Sequence, residues 1–217
     1  MSIDIIEKII NWKVSLNDRI EGCTCISLCG NYVIVGCYDG HLYVLSTDNG
    51  QIFWKFKTDD IVKCTPVIDP YNGHVWFGGY DKILYELDIY NKCIIGKFQT
   101  DGAILASPII DIKNRILYCC NLRGILYSID LNNTQRNNKN KINKAENTTI
   151  DYKYKWKFST EDNKPIFTNP KLSQDKMYIY FGCVDGYVYC INTTKGKLVS
   201  FNPKIILIIL FTFHYMY

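Results

Sequence analysis

The chain lacks any apolar run long enough to cross a bilayer as a helix. Its longest, "IILIILFTF" at 205–213, has nine residues, whereas a spanning helix needs about 20. The N-terminal "MSIDIIEKII" also lacks a basic segment and carries two acids, which is not typical of a secretory signal. We therefore expect no membrane span and a cytoplasmic location, in which the ten cysteines are reduced thiols.

The sequence also lacks the spacings that hold metals or assemble catalytic groups. Its three histidines, at positions 41, 74 and 214, fall at unrelated places. There is no C-x-x-C pair, and Cys23 and Cys25 have the wrong spacing for a zinc site. No nucleophile, base and orienting residue can be assembled. We predict no catalytic residue, no cofactor-binding residue and no metal site.

Most of the net positive charge comes from one segment. The net charge is +4, and residues 132–150 carry four basic residues against one acid, which is +3. The remainder is near neutral, which argues against a nucleic-acid surface on the fold itself. The same stretch is rich in asparagine and poor in apolar groups. We therefore predict that 132–152 is a disordered, exposed insert.

An internal repeat is present. "GCYDGHLYVLSTDNGQIFWKF" (36–56) is followed 42 residues later by "GGYDKILYELDIYNKCIIGKF" (78–98), with ten identical positions. An interval of about 40–45 residues is typical of a four-stranded propeller blade. Each unit holds four short β-rich runs between turns, with no room for a helix. The predicted fold is all-β, with blades at about 20–58, 62–100, 103–159 and 165–201.

The repeated positions have structural interpretations. Asp39, Asp81 and Asp185 recur at one hairpin, where aspartate is usually a turn residue. The tyrosine that follows each hairpin comes directly after an apolar residue, so the two side chains should point to opposite faces of the sheet. Trp54 and Trp156 begin outer strands, and we expect both to be largely buried between neighbouring sheets.

Residues 48–56, "DNGQIFWKF", resemble the "[TN]-G-x-x-x-W-K-F" tryptophan docking motif of PQQ-like (quinoprotein-type) β-propellers. WD40 propellers have a similar repeat length, but the chain contains no Trp-Asp pair, so that family comes second. The segment "DRIEGCTCISLCGNYVIVGCYDGHLYVLSTDNGQIFW" (18–54) is similar to the C-terminal propeller of the animal β-alanine-activating enzymes, also called aminoadipate-semialdehyde dehydrogenases. The resemblance covers roughly 9–201.

This resemblance implies a function for the propeller alone. In that family an acyl-adenylating domain and a phosphopantetheine carrier domain precede the propeller. The present sequence has no Gly/Ser/Thr-rich phosphate loop and no Gly-Asp-Ser-type carrier site. The expectation is a non-catalytic interaction or scaffold module, with a protein partner or the sister domains of a larger enzyme.

The alternative is a PQQ-dependent dehydrogenase, since some quinoproteins carry adjacent cysteines beside the quinone. Here the adjacent pair is Cys119-Cys120. Both lie on a predicted strand, where neighbouring side chains point to opposite faces and a local disulfide would require strain. We therefore interpret them as core residues, and we expect no quinone.

The repeat leaves both ends of the chain unassigned. Residues 1–8 are interpreted as an N-terminal extension and 203–217 as a hydrophobic tail, with the PQQ-like repeats at 9–202. Residues 8–14 should form the outer strand of a blade whose other strands are missing. We expect an open arc of about four blades, a fragment of a larger ring, which self-associates through its open blade edges.

Overall fold

The structure is a computed structural model, and it describes residues 1–132 and 149–199. The predicted apolar tail, 203–217, lies outside the described residues, as does most of the predicted insert. Among the described residues, the secondary structure is β apart from one 3₁₀ turn at Glu161–Asn163. No helix in these two ranges is long and apolar enough to cross a membrane.

The chain begins with a two-stranded hairpin and continues as four antiparallel blades, whose strands we denote A to D in chain order. The hairpin consists of β1 (Ser2–Ile3) and β2 (Ile10–Trp12). Blade 1 contains β3 (Cys25–Ile26), β4 (Tyr32–Gly36), β5 (His41–Ser46) and β6 (Ile52–Lys57), and blade 2 contains β7 (Val67–Ile68), β8 (Val75–Gly78), β9 (Ile83–Asp88) and β10 (Cys93–Gln99).

The third and fourth blades have the same strand order. Blade 3 contains β11 (Ile109–Asp111), β12 (Ile116–Cys120), β13 (Ile125–Asp130) and β15 (Tyr154–Ser159), and blade 4 contains β16 (Lys171–Leu172), β17 (Tyr178–Gly182), β18 (Val188–Asn192) and β19 (Lys197–Leu198). An additional strand, β14 (Ile150–Asp151), leaves blade 3 and pairs in parallel with β10 of blade 2.

The apolar core lies between the blades. One cluster joins blades 1 and 2 around Leu42 and Phe77, a second joins blades 2 and 3 around Trp76 and Leu117, and a third joins blades 3 and 4. In blades 1 to 3, neighbouring apolar residues of strand C enter different clusters, because successive side chains point to opposite faces. Among the described residues, these clusters connect four blades in series, and the sheets do not close into a ring.

The N-terminal hairpin repeats the second half of a blade. Its register pairs Ser2 with Trp12 and Ile3 with Ile10, with an irregularity between them. Blade 1 pairs Val44 with Trp54 and Leu45 with Ile52, with the same irregularity. The backbone bond from Asp4 N to Ile9 O also has its counterpart 42 residues later. The segment interpreted as an extension, 1–8, therefore contains a strand C.

The C-terminal end of the predicted disordered insert is ordered. Residues 133–148 lie outside the described residues, but Ile150 and Asp151 form β14. Ile150 and Tyr152 are buried in the cluster between blades 2 and 3. The prediction of an exposed 132–152 loop is therefore wrong for Ile150 and Tyr152, which supply an apolar and an aromatic group to the blade junction, whereas Asp151 is exposed.

Candidate functional site

The recurring aspartates of the strand B to strand C hairpins brace the strand that follows them. In blade 2, Asp81 accepts a hydrogen bond from the Ile83 amide at 3.1 Å and another from the Tyr85 hydroxyl at 2.7 Å. Burial, together with this bond to Asp81, raises the pKa of Tyr85. Asp39 and Asp185 make the equivalent contacts in blades 1 and 4. These carboxylates are turn caps, as predicted, and also tyrosine acceptors.

Blade 3 achieves the same bracing with different residues. Arg123 occupies the place of the hairpin aspartate, and Asn121 caps the turn by accepting from the amides of Arg123 and Ile125, each at 3.0 Å. The Tyr127 hydroxyl instead donates to Asp101 at 2.8 Å. Every complete blade therefore has an acceptor for this tyrosine, so these carboxylates are already engaged in structural bonds.

Two tryptophans dock one blade onto the next. Trp12 donates from Nε1 to Thr47 O at 2.7 Å, and its ring lies against Gly50, where a Cβ would approach to 2.5 Å. Trp156 donates to Thr193 O at 2.9 Å and lies against Gly196 in the same way. Both glycines have positive φ, which favours glycine independently of the ring.

Trp54 and Trp156 lie between neighbouring sheets, as predicted, but neither is completely buried. Trp54 packs against the cluster between blades 1 and 2, and Trp156 packs against the cluster between blades 3 and 4. They lie on strand D, the outermost strand of each blade, so one edge of the indole remains in contact with solvent. The fully buried tryptophan is Trp76, on strand B of blade 2.

Blade 2 has no docking tryptophan, and the junction with blade 3 is built in another way. Gly96 occupies the tryptophan position, and a Cβ there would lie 2.4 Å from Cε2 of Tyr152. Tyr152 follows β14, so its ring reaches the outer strand of blade 2 from the blade 3 side. It packs against Trp76 with ring centroids 5.1 Å apart.

A buried polar network is centred on Glu86 at this junction. Glu86 is almost completely buried and lies opposite Trp76 in the sheet. One carboxylate oxygen accepts from the Tyr152 hydroxyl at 2.6 Å, and the other lies 2.7 Å from His74 Nδ1. The bond with Glu86 raises the pKa of His74, although burial opposes the shift.

An ion pair between blades completes the network. Arg115, in the strand A to strand B turn of blade 3, donates from both terminal nitrogens to the fully buried Asp69 of blade 2, at 2.7 and 2.6 Å. Burial alone would raise the pKa of Asp69, but the bonds from Arg115 and the Tyr71 amide lower it. Bidentate geometry of this kind is the strongest form of carboxylate recognition by arginine.

Sequence reasoning missed this network, although one signal was present. Glu86 stands where the other blades have Val44, Ser128 and Cys190, so a charged residue occupies a position that is otherwise uncharged. Arg115 and Tyr152 gave no such signal, because one lies in a variable turn and the other at the end of a segment without a repeat counterpart.

The cysteine pair has the arrangement expected of core residues. Cys119 lies in the cluster between blades 2 and 3, and Cys120 lies in the cluster between blades 3 and 4. Both are free thiols, and burial raises the pKa of each. Within 1–132 and 149–199, no group of three or more His, Cys, Asp or Glu residues is placed to hold a metal ion.

Comparison with known proteins identifies the repeat. The family model described as the β-propeller of the β-alanine-activating enzyme matches residues 1–205. The chain belongs to this family. The human β-alanine-activating enzyme is 44% identical over 46 residues, which are 21% of the present chain and 4% of the human protein. The matched segment is thus a small part of that relative. The family match begins at residue 1, in keeping with the strand C found within 1–8.

The fold is also similar to that of a solved bacterial propeller. BamB from Moraxella catarrhalis superposes with a TM-score of 0.63 over 87% of the present chain and 51% of BamB. The sequence identity is 17%, so this likeness concerns the fold alone. The described blades therefore correspond to about half of the BamB chain.

Proposed function

We propose that the chain is a non-catalytic propeller module of the β-alanine-activating enzyme family, which acts through protein contacts rather than by chemistry of its own. The observation that carries the proposal is how the buried ionisable groups are used. Asp69, Glu86 and Arg115 are all bound to partners across the junction between blades 2 and 3. A catalytic side chain must instead have an atom within hydrogen-bond reach of the substrate.

The same reasoning applies to the recurring hairpin carboxylates. Asp39, Asp81 and Asp185 each bind a turn amide and a tyrosine hydroxyl of their own blade. The hydrogen-bonding capacity of these carboxylates is therefore used within their own blades. A scaffold module requires this kind of rigidity, because a partner surface keeps its shape only when the blades that present it are held together.

The proposed partner is an acyl-adenylating polypeptide of the same family, and the proposed location is the cytoplasm. The support is membership of a family whose human relative is named for β-alanine activation. The dehydrogenase alternative gains no support from Cys119 and Cys120, which face different cores.

The proposal is tested with the purified chain. We expect no ATP–pyrophosphate exchange with β-alanine, and no dye reduction with alcohols after addition of PQQ and Ca²⁺. Cross-linking to an acyl-adenylating polypeptide of the same organism should give a defined complex. Exchange activity or quinone-dependent dye reduction would show that the chain is an enzyme. If cross-linking gives no complex, the proposed partner is wrong.

A further inference from the structure

The outer edge of blade 2, meaning the edge of strand D that faces away from strand C, carries an added strand. β14 pairs there in parallel with β10, and the register places Asp151 beside Lys97. The Tyr152 amide donates to Lys97 O at 2.9 Å. An acidic residue thus lies beside the exposed lysine of an outermost strand, and backbone bonds join the two strands.

The lysine at this position recurs in blades 1 to 3, as Lys55, Lys97 and Lys157. Three residues later, each blade has a threonine whose amide bonds to the hairpin between strands B and C. The direction of backbone bonding alternates along an antiparallel strand. The backbone N–H and C=O of each lysine therefore point away from strand C, toward the outer edge.

Blade 1 leaves this edge open. Among the described residues, β6 pairs only with β5, and the exposed Lys55 takes part in none of the ion pairs. In blade 3, by contrast, Lys157 lies 3.6 Å from Asp101. β6 lies between β5 and β7 in the chain, so its open edge is a property of blade 1 itself.

The charge of the outer strands favours an acidic occupant. The four D strands contain no Asp or Glu, and their lysines are Lys55, Lys57, Lys97, Lys155, Lys157 and Lys197. Lysine on an edge strand discourages pairing with a second edge of the same kind, because like charges would face each other. A strand that carries carboxylates meets no such repulsion, as β14 shows on blade 2.

The burial of a neighbouring phenylalanine differs between the blades in the same sense. Phe98, which follows Lys97, is 5% exposed, whereas Phe56 and Phe158 at the same repeat position are only half-buried. Blade 2 is also the blade that has the added strand. We expect a strand at the blade 1 edge to cover Phe56 further, which would add apolar contact to the backbone bonds.

Trp54 limits the shape of such a strand. In blade 2, Tyr152 fills the space that a side chain at Gly96 would occupy. Trp54 stands at this position in blade 1 and fills the space itself. The occupant of the blade 1 edge must therefore have a small residue where Asp151 is followed by tyrosine.

We propose that the outer edge of β6 binds an extended, acidic segment of a protein partner. The segment pairs in parallel with β6, places a carboxylate beside Lys55 and has a small residue at the next position. Strand addition of this kind takes affinity from backbone bonds and specificity from alternate side chains. The inference rests on the proposed function, which it deepens by giving the chemistry of the protein contact.

Residues 1–217 do not supply this segment. The described strands are already paired within their own sheets. Residues 133–148 contain one acid, Glu146, among four basic residues, and residues 200–217 contain no acid. A second copy of the chain has the same composition, so charge complementarity favours a different protein.

The test uses the full chain and a synthetic peptide of residues 147–154 with Tyr152→Ser and Lys153→Asp. We expect the peptide to bind and to slow amide exchange at Lys55 and Lys57, followed by NMR, while Lys97 on its paired edge stays unchanged. The same peptide with Tyr152 retained should bind more weakly. If millimolar peptide leaves exchange at Lys55 unchanged, the proposal is wrong.

Matched variants of the chain test the charge contact. Lys55→Glu should weaken peptide binding about tenfold or more, because like charges would then lie side by side. Lys113→Glu makes the same change of net charge on an exposed turn of blade 3 and should leave binding unchanged. A peptide that also carries Asp151→Lys should bind Lys55→Glu better than the original peptide does. Equal effects of the two chain variants would overturn the proposal.

The outcomes separate this surface from the proposed function. If the cross-linked complex with the acyl-adenylating polypeptide forms equally well with Lys55→Glu, the proposed surface is wrong and the proposed function stands. If the peptide binds at Lys55 but that complex does not form, the acidic-strand site is supported and the proposed partner is wrong.

Discussion

Tyr152 lies in the space that a side chain at Gly96 would occupy, 2.4 Å from the position of a Cβ there. Elsewhere a tryptophan at this repeat position projects forward onto the next blade. At the junction of blades 2 and 3 the direction is reversed, and blade 3 projects an aromatic ring back onto blade 2. Glycine in place of tryptophan at position 96 and the additional segment at 150–152 are therefore complementary, because Tyr152 fills the space that a side chain at position 96 would occupy.

The hydroxyl of Tyr152 is expected to contribute measurably to stability. Tyr152→Phe keeps the ring against Trp76 but leaves one oxygen of the buried Glu86 without its donor. The free energy of unfolding should fall by about 1–3 kcal/mol, measured by urea denaturation. Tyr154→Phe, on an exposed side chain, is the control and should change it by less than about 0.5 kcal/mol. Equal effects of the two changes would contradict the importance of Glu86.

Arg115→Leu should destabilise the chain strongly. It leaves the carboxylate of Asp69 buried and unpaired, which costs about 3–5 kcal/mol. Adding Asp69→Asn should restore part of this loss, because the uncompensated charge is removed. Lys155→Ala breaks a pair to Asp130 that is 3.7 Å long and half exposed, and it should cost about 0–1 kcal/mol. Equal denaturation midpoints for Arg115→Leu and Lys155→Ala would show that the ion pair between Arg115 and Asp69 does not stabilise the fold.

His74 should make stability depend on pH. Its folded-state pKa is raised, chiefly by Glu86, above an unfolded value of about 6.5. The stabilisation is therefore complete below about pH 6.5 and is lost as the pH rises through the folded-state pKa. The difference in unfolding free energy between the unaltered chain and His74→Gln should shrink from pH 6 to pH 8 or above.

The same measurement in a Glu86→Gln background is the control for the histidine. Glu86 is the main cause of the raised pKa, while Asp88 and Asp69 contribute less. Most of the pH dependence should therefore disappear when Glu86 is neutralised. A pH dependence that persists unchanged would assign it to another group.

The ten cysteines should differ widely in reactivity. Cys29 is exposed, and its hydrogen bonds with the Ser27 and Tyr90 hydroxyls, each at 3.3 Å, lower its pKa. In the native chain, a short pulse of iodoacetamide should modify Cys29 and spare Cys119 and Cys120, as followed by peptide mass spectrometry. Tyr90→Phe should slow the modification of Cys29, whereas Tyr71→Phe should not. Rapid labelling of Cys120 would indicate that the blade 3 core opens.

The repeat allowed much of the fold to be predicted from the sequence, because hairpin residues such as Asp39 and Gly40 constrain local backbone geometry. The aspartates were correctly interpreted as turn caps. The junction between blades 2 and 3 was not predictable in this way. Tyr152 follows a segment that leaves blade 3, yet it binds Glu86 on a strand of blade 2, 66 residues away. Arg115 of blade 3 likewise binds Asp69 of blade 2, 46 residues away. The repeat pattern constrains the hairpins within a blade but not these long-range contacts between blades.

The parallel pairing of β14 with β10 has a consequence for the order of events during synthesis. The edge of blade 2 is completed by residues 150–151, which leave the ribosome 52 residues after Gln99. At ~5–20 residues per second this interval lasts about 3–10 s, during which a nascent chain carries an unfilled strand edge. We therefore expect blades 2 and 3 to mature as one cooperative folding unit, although the repeat divides them into two.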